Sequence, residues 1–119
     1  MLVTKQHIAN NSIEDDYSKS VSIEHRKKFA QFFTPFPIAD LMAQWIIGNK
    51  NLKNILEPAF GLGVFSRAIL NHKEDVEING FEIDANIFEN AKQHFEDTES
   101  VNLLLKDYLF KIVYFPAHN

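Results

Sequence analysis

Three acids and two glycines are the residues of this 119-residue chain whose types and spacing could do chemistry. Glu57 closes an apolar run and is followed by Gly61 and Gly63; Glu82 and Asp107 close two later runs. A carboxylate in that place suits a ligand with a cationic end. The two glycines let backbone approach the ligand closely and begin a helix, whose N-terminus tolerates a carboxylate. A dinucleotide fingerprint, G-x-G-x-x-G, would need glycine at position 66, which is Ser66, and a pyrophosphate would be poorly served by Glu57. S-adenosylmethionine has the required parts, an amino-acid zwitterion and a sulfonium. From Gly63 to Glu82 is 19 positions, about the distance at which an acid on the second strand of a nucleotide-binding βαβ unit reaches ribose hydroxyls. The two acids therefore fit the two ends of one nucleoside-containing cofactor.

Blander roles exist for each residue. Two glycines after a strand form ordinary βα turns, and Glu82 and Asp107 could be solvated strand-end acids or helix caps. Their order favours a site: an acid falls at the end of each of three successive strands, where an open parallel sheet places its ligand. The histidines, His7, His25, His72, His94 and His118, have no metal-ligand spacing. No nucleophile and base pair stands out.

The elements that must position these residues follow from periodicity. Residues 1 to about 20 are polar without a sustained apolar period and read as an arm or a loose first helix. From Pro37, the apolar residues Ile38, Leu41, Met42, Trp45 and Ile46 make a helical stripe that ends near Gly48. Strands are expected at 54 to 56, 76 to 83 and 101 to 105. Helices are expected at about 64 to 71, with Phe65, Ala68 and Ile69 inward, and over Ile87, Phe88, Ala91 and Phe95. Helices alternating with apolar strands imply right-handed crossovers and a parallel sheet, an α/β, Rossmann-like class. There are no internal repeats. A 45% hydrophobic content with 11 phenylalanines supports a core, no cysteine is available for a disulfide, and a formal net charge of −4 disfavours strong nucleic-acid binding by the chain itself. No apolar run approaches the roughly 20 residues of a membrane span and the N-terminus has no signal-peptide pattern, so a soluble cytoplasmic protein is expected.

Four stretches add a resemblance. Ala30-Gln31-Phe32-Phe33-Thr34-Pro35, Glu57-Pro58-Ala59-Phe60-Gly61-Leu62-Gly63, Gly80-Phe81-Glu82-Ile83-Asp84 and Lys106-Asp107-Tyr108-Leu109 are similar, in order, to the cofactor motifs of the N6-adenine DNA methyltransferases of restriction-modification systems. Ala30 stands where that family often has glycine. The resemblance spans about residues 25 to 110 and implies residue roles. Thr34 and the backbone around Phe33 would contact the methionine end, and Glu57, Pro58, Gly61 and Gly63 would form the loop lining the methionine pocket. Glu82 would hold the ribose and Asp107 the adenine amino group, with Phe60 and Ile83 flanking the adenine ring.

The same resemblance shows what does not follow Asp107. Family members continue to an N-P-P-Y/F motif, which accepts the amino group of a flipped target adenine and stacks on its ring; Phe115-Pro116-Ala117 does not match it. The expectation is a polar arm over residues 1 to 24 and a partial methyltransferase domain over 25 to 119, truncated after about three parallel strands. It would be the cofactor-binding half of an N6-adenine methyltransferase, inactive alone, with DNA a partner of the full-length enzyme. The alternatives are a non-catalytic cofactor-binding or structural subunit, and a methyltransferase acting on RNA or protein. The open sheet edge or face should drive self-association, unless residues 111 to 114 fold back as an edge strand.

Overall fold

A computed structural model describes residues 7–28, 33–48 and 51–107. Ala30, Gln31 and Phe32 of the first motif, Tyr108 and Leu109 of the last, and residues 111 to 119 lie outside the described residues. In chain order the elements are α1 (Ser12–Ser20), α2 (Ile23–Lys28), α3 (Phe36–Ile47), β1 (Asn54–Glu57), α4 (Val64–His72), β2 (Glu77–Glu82), α5 (Ala85–His94) and β3 (Val101–Leu105).

The strands form one parallel sheet in the order β1-β2-β3. Ile55 lies opposite Ile78, and Ile78 opposite Val101. This register puts Ile55, Ile78, Val101 and Leu103 in a core with Ala68 and Ile69 of α4 and Ala91 and Phe95 from the α5 region. Helix α5 packs on β2 and β3, and α4 shares this core while packing against α3. On the opposite face Leu56 and Leu104 are exposed, and Asn102 donates to Glu77 Oε1 and Asn79 Oδ1.

Helix α3 forms where the period predicts it but turns the other way. Phe36, Ala39 and Ala43 are buried against α4, whereas Ile38, Leu41, Met42, Trp45 and Ile46 are all exposed, Trp45 at 82%. Two alanines at the contact let the helix axes approach closely, and a histidine of α4, His72, bonds Asp40 of α3 at 2.7 Å. The wide apolar stripe was the stronger sequence signal and the wrong guide to the packed face.

The N-terminal segment is structured and docked. In α1, Ile13 and Tyr17, four residues apart, are buried with Leu62 of the glycine loop and Ile87 of α5. Ahead of α1, the His7 backbone exchanges two hydrogen bonds with the Asn71 side chain. Among the described residues no helix is long and apolar enough to cross a membrane.

Candidate functional site

The loop after β1 is shaped by its two glycines. Gly61 and Gly63 have φ of +62° and +85°, the left-handed region that side-chain-bearing residues rarely adopt. At Gly63 a Cβ would also meet the Phe95 ring, 2.7 Å from Cζ, so both the backbone angle and the space demand glycine. Gly63 begins α4 without a side-chain cap, which leaves first-turn N–H groups without a side-chain partner at that helix end.

Glu82 ties this loop to the end of β2. Its carboxylate accepts from the Gly61 N–H (2.9 Å) and from the Asp84 N–H (2.9 Å). The backbone continues the link, with Phe60 N–H donating to Phe81 O (2.8 Å) and Lys106 N–H to Glu82 O (2.9 Å). The ends of all three strands are thereby brought side by side. Asp84 caps α5 by accepting from the Asn86 N–H at 2.9 Å, and its other oxygen meets His25 Nε2 at 2.6 Å and the Tyr17 hydroxyl at 3.4 Å.

Glu57, the last residue of β1, is held differently. As a residue it is half-buried, but its Oε1 is sealed from solvent and has no hydrogen-bond partner among the described residues, and neither has the Ser66 hydroxyl. Burial pushes the carboxyl up from 4.5 to about 7, with Ser66 pulling less strongly the other way.

The other predicted residues fall into two groups. Phe33 packs against the Tyr17, Leu62 and Ile87 cluster, its ring edge-on to Tyr17 at 5.8 Å, which sets it beside the glycine loop. Thr34 is half-buried and its carbonyl accepts from Asn11 Nδ2 at 3.2 Å. Pro58, Ile83 and Asp107 are exposed at the carboxyl ends of the strands, and Phe60 is buried beneath the loop, its ring edge-on to Phe95 at 5.3 Å.

Sequence reasoning passed over Asn11, Glu14, Tyr17, His25 and Arg67. Arg67 left a trace: at an inward position between Val64 and Ala68 of α4, an arginine implies a buried partner. That partner is Glu14, whose carboxylate pairs with the Arg67 guanidinium. Among the described residues no group of three or more His, Cys, Asp or Glu side chains could hold a metal ion. An open hollow of about 530 Å³ lies at the opposite, amino ends of the strands, lined by residues including Lys53, Glu74, Glu77 and Glu99. It has none of the predicted site residues, and parallel sheets bind ligands at the other end.

No family model matches the chain. Over 110 residues, 92% of its length, it is 67% identical to the type II methyltransferase M.AccI of Acinetobacter calcoaceticus, and it spans 20% of that relative's length. Among solved structures it resembles a putative O-methyltransferase from Klebsiella pneumoniae, with a TM-score of 0.62 and 15% identity over 93% of this chain and 50% of that one. It also resembles coclaurine N-methyltransferase bound to N-methylheliamine and SAH, with a TM-score of 0.51 and 9% identity over 60% of this chain and 22% of that one. At these identities the structural matches establish the fold, and the sequence match establishes kinship. The chain is homologous to part of a restriction-modification methyltransferase and has the Rossmann-like fold of S-adenosylmethionine-dependent methyltransferases.

Proposed function

We propose that this chain supplies the S-adenosylmethionine-binding part of an N6-adenine DNA methyltransferase. The observation that carries the cofactor reading is Glu57: a sealed carboxylate oxygen with no hydrogen-bond partner among the described residues, at the end of β1 beside two left-handed glycines. Such a group is satisfied by a cationic ligand atom, and the ammonium of the methionine moiety is one. The uncapped start of α4 suits the carboxylate of the same moiety. Glu82, fixed by two backbone N–H groups, presents a preset carboxylate edge for ribose hydroxyls, and Asp107 stands exposed at the next strand end for the adenine amino group. Thr34 and Phe33 would bound the methionine end.

When bound, the cofactor supplies a methyl group on a sulfonium, an excellent leaving group, so the protein's main task is alignment. This chain's residues orient the cofactor; recognition of the adenine belongs to the N-P-P-Y/F motif, which the sequence does not contain. The adenine-N6 assignment is supported by the four motif stretches and by kinship with a type II methyltransferase. On this reading the 119-residue chain neither methylates DNA nor binds it tightly by itself.

Calorimetric titration is the direct test. S-adenosylhomocysteine should bind and NAD should not; equal binding of both, or no binding of the first, overturns the cofactor assignment. Transfer of tritium from labelled cofactor to an adenine-containing duplex by the purified chain would overturn the expectation of inactivity. Self-association is part of the same proposal: β1 pairs on one side only among the described residues, Leu56 is exposed on it, and the α3 stripe adds an apolar patch. Light scattering at micromolar concentration should give a mass above 13.8 kDa; a clean monomer would refute it.

A further inference from the structure

We propose that Asn11 is a positioning residue for the methionine end of the cofactor, an inference that rests on the reading of Thr34 given above. The segment containing Thr34 enters α3 through Pro35, which has no side chain to cap the helix. The first N–H groups of a helix have no partner within it. Asn11, 25 residues upstream, provides one from outside: its Oδ1 accepts from the Phe36 N–H at 2.7 Å. Its Nδ2 donates to the Thr34 carbonyl at 3.2 Å and to Glu14 Oε1 at 3.2 Å. One amide thus grips the backbone on both sides of Pro35.

The grip is itself anchored to the glycine loop's helix. The other oxygen of Glu14 pairs with Arg67, buried on α4 one turn after Gly63. Arg67 also donates to the backbone carbonyls of Ile8 (3.2 Å) and Asn10 (2.9 Å), so the residue before Asn11 is fixed as well. Both the guanidinium and the Glu14 carboxylate are almost fully buried, and a buried pair with several bonds resists sliding better than a surface contact. The result is a continuous series from α4 through Arg67, Glu14 and Asn11 to the Thr34 carbonyl. Glu57 and the glycines stand at one end of it and Thr34 at the other; these are the groups that would enclose the methionine moiety. A segment held only by Phe33 packing could rotate its backbone, whereas bonds to Thr34 O and Phe36 N fix that rotation.

Two ligands separate positioning from general support of the fold. S-adenosylhomocysteine carries the amino-acid end, and 5′-methylthioadenosine lacks it. Titrated against the full chain, Asn11→Ala should weaken S-adenosylhomocysteine by about fivefold or more, the loss of roughly one hydrogen bond's worth of organisation. It should leave 5′-methylthioadenosine within about twofold of the parent. Asn11→Asp retains an acceptor for the Phe36 N–H but sets a carboxylate oxygen, in place of the donor, against the Thr34 carbonyl and Glu14 Oε1, so it should show a larger selective loss than Asn11→Ala. Equal weakening of both ligands, unchanged affinity for S-adenosylhomocysteine, or failure of both variants to fold would each overturn the proposal. Failure of the parent chain to bind S-adenosylhomocysteine would instead overturn the functional reading on which it rests.

Discussion

Glu57 and Glu82 end neighbouring parallel strands, carry the same functional group and were singled out by the same sequence argument, yet the fold treats them oppositely. Glu82 is buried and answered by two backbone N–H groups, which make it part of the loop's framework. Glu57 has a sealed oxygen without a partner among the described residues and a carboxyl raised to about 7. A carboxylate already satisfied by the protein shapes a site before the ligand comes; one left unsatisfied gains most from a cation that arrives. On the proposed reading, one acid is scaffold with a binding edge, and the other is a counter-charge for the cofactor's ammonium.

Removing the scaffold acid should have the largest effect. Glu82→Ala deletes two charge-assisted hydrogen bonds and should cost about 3 kcal/mol of stability in urea unfolding and weaken S-adenosylhomocysteine by about tenfold or more. Unchanged affinity in calorimetry would remove Glu82 from the site.

The counter-charge should respond with the opposite sign. A carboxyl whose folded pKa lies above its ordinary value holds its proton more tightly in the folded state. The fold is therefore favoured below pH 4.5 and loses that contribution as pH rises through about 7. Above pH 7 the ionised, sealed Glu57 costs up to about 3 kcal/mol, and an unpartnered amide in its place costs about 1, so Glu57→Gln should stabilise the chain by about 1 to 2 kcal/mol at pH 8. Near pH 5 the advantage should vanish. A destabilised variant at pH 8 would mean that Glu57 has a partner.

Binding should show the same proton. If the ammonium needs the ionised carboxylate, affinity for S-adenosylhomocysteine should rise by about tenfold from pH 6 to pH 8, with proton release seen as a dependence of the binding heat on buffer. The decisive comparison is with Glu57→Gln, in which the rise should flatten. A slope that persists there would assign it elsewhere.

The smallest change concerns the bond that joins the loop to Glu82. A Cβ on Gly61 would meet nothing within 4 Å, so Gly61→Ala should cost only its left-handed backbone, about 1 kcal/mol, and keep the N–H that Glu82 accepts. A loss near that of Glu82→Ala would show that the loop, and not the carboxylate, sets the scaffold.

Much of this molecule was legible in its sequence, for local physical reasons. The glycine pair between an apolar run and a helical period predicts a close backbone turn that begins a helix; α4 starts there, and both glycines have positive φ. Strand and helix periods placed β1 to β3, α4 and α5 to within a residue or two, and thereby set Glu57, Glu82 and Asp107 at adjoining strand ends. What sequence could not settle depends on distant partners. The face on which α3 packs was decided by α4, whose surface accepted Phe36, Ala39 and Ala43 and left Trp45 outside. A polar N-terminal stretch became a docked helix because Arg67, 53 residues from Glu14 in the chain, needs a buried counter-charge. Glu57 and Glu82 are indistinguishable as letters; only the folded backbone brings two N–H groups to one of them and leaves an oxygen of the other without a partner among the described residues, because hydrogen bonds form between neighbours in space.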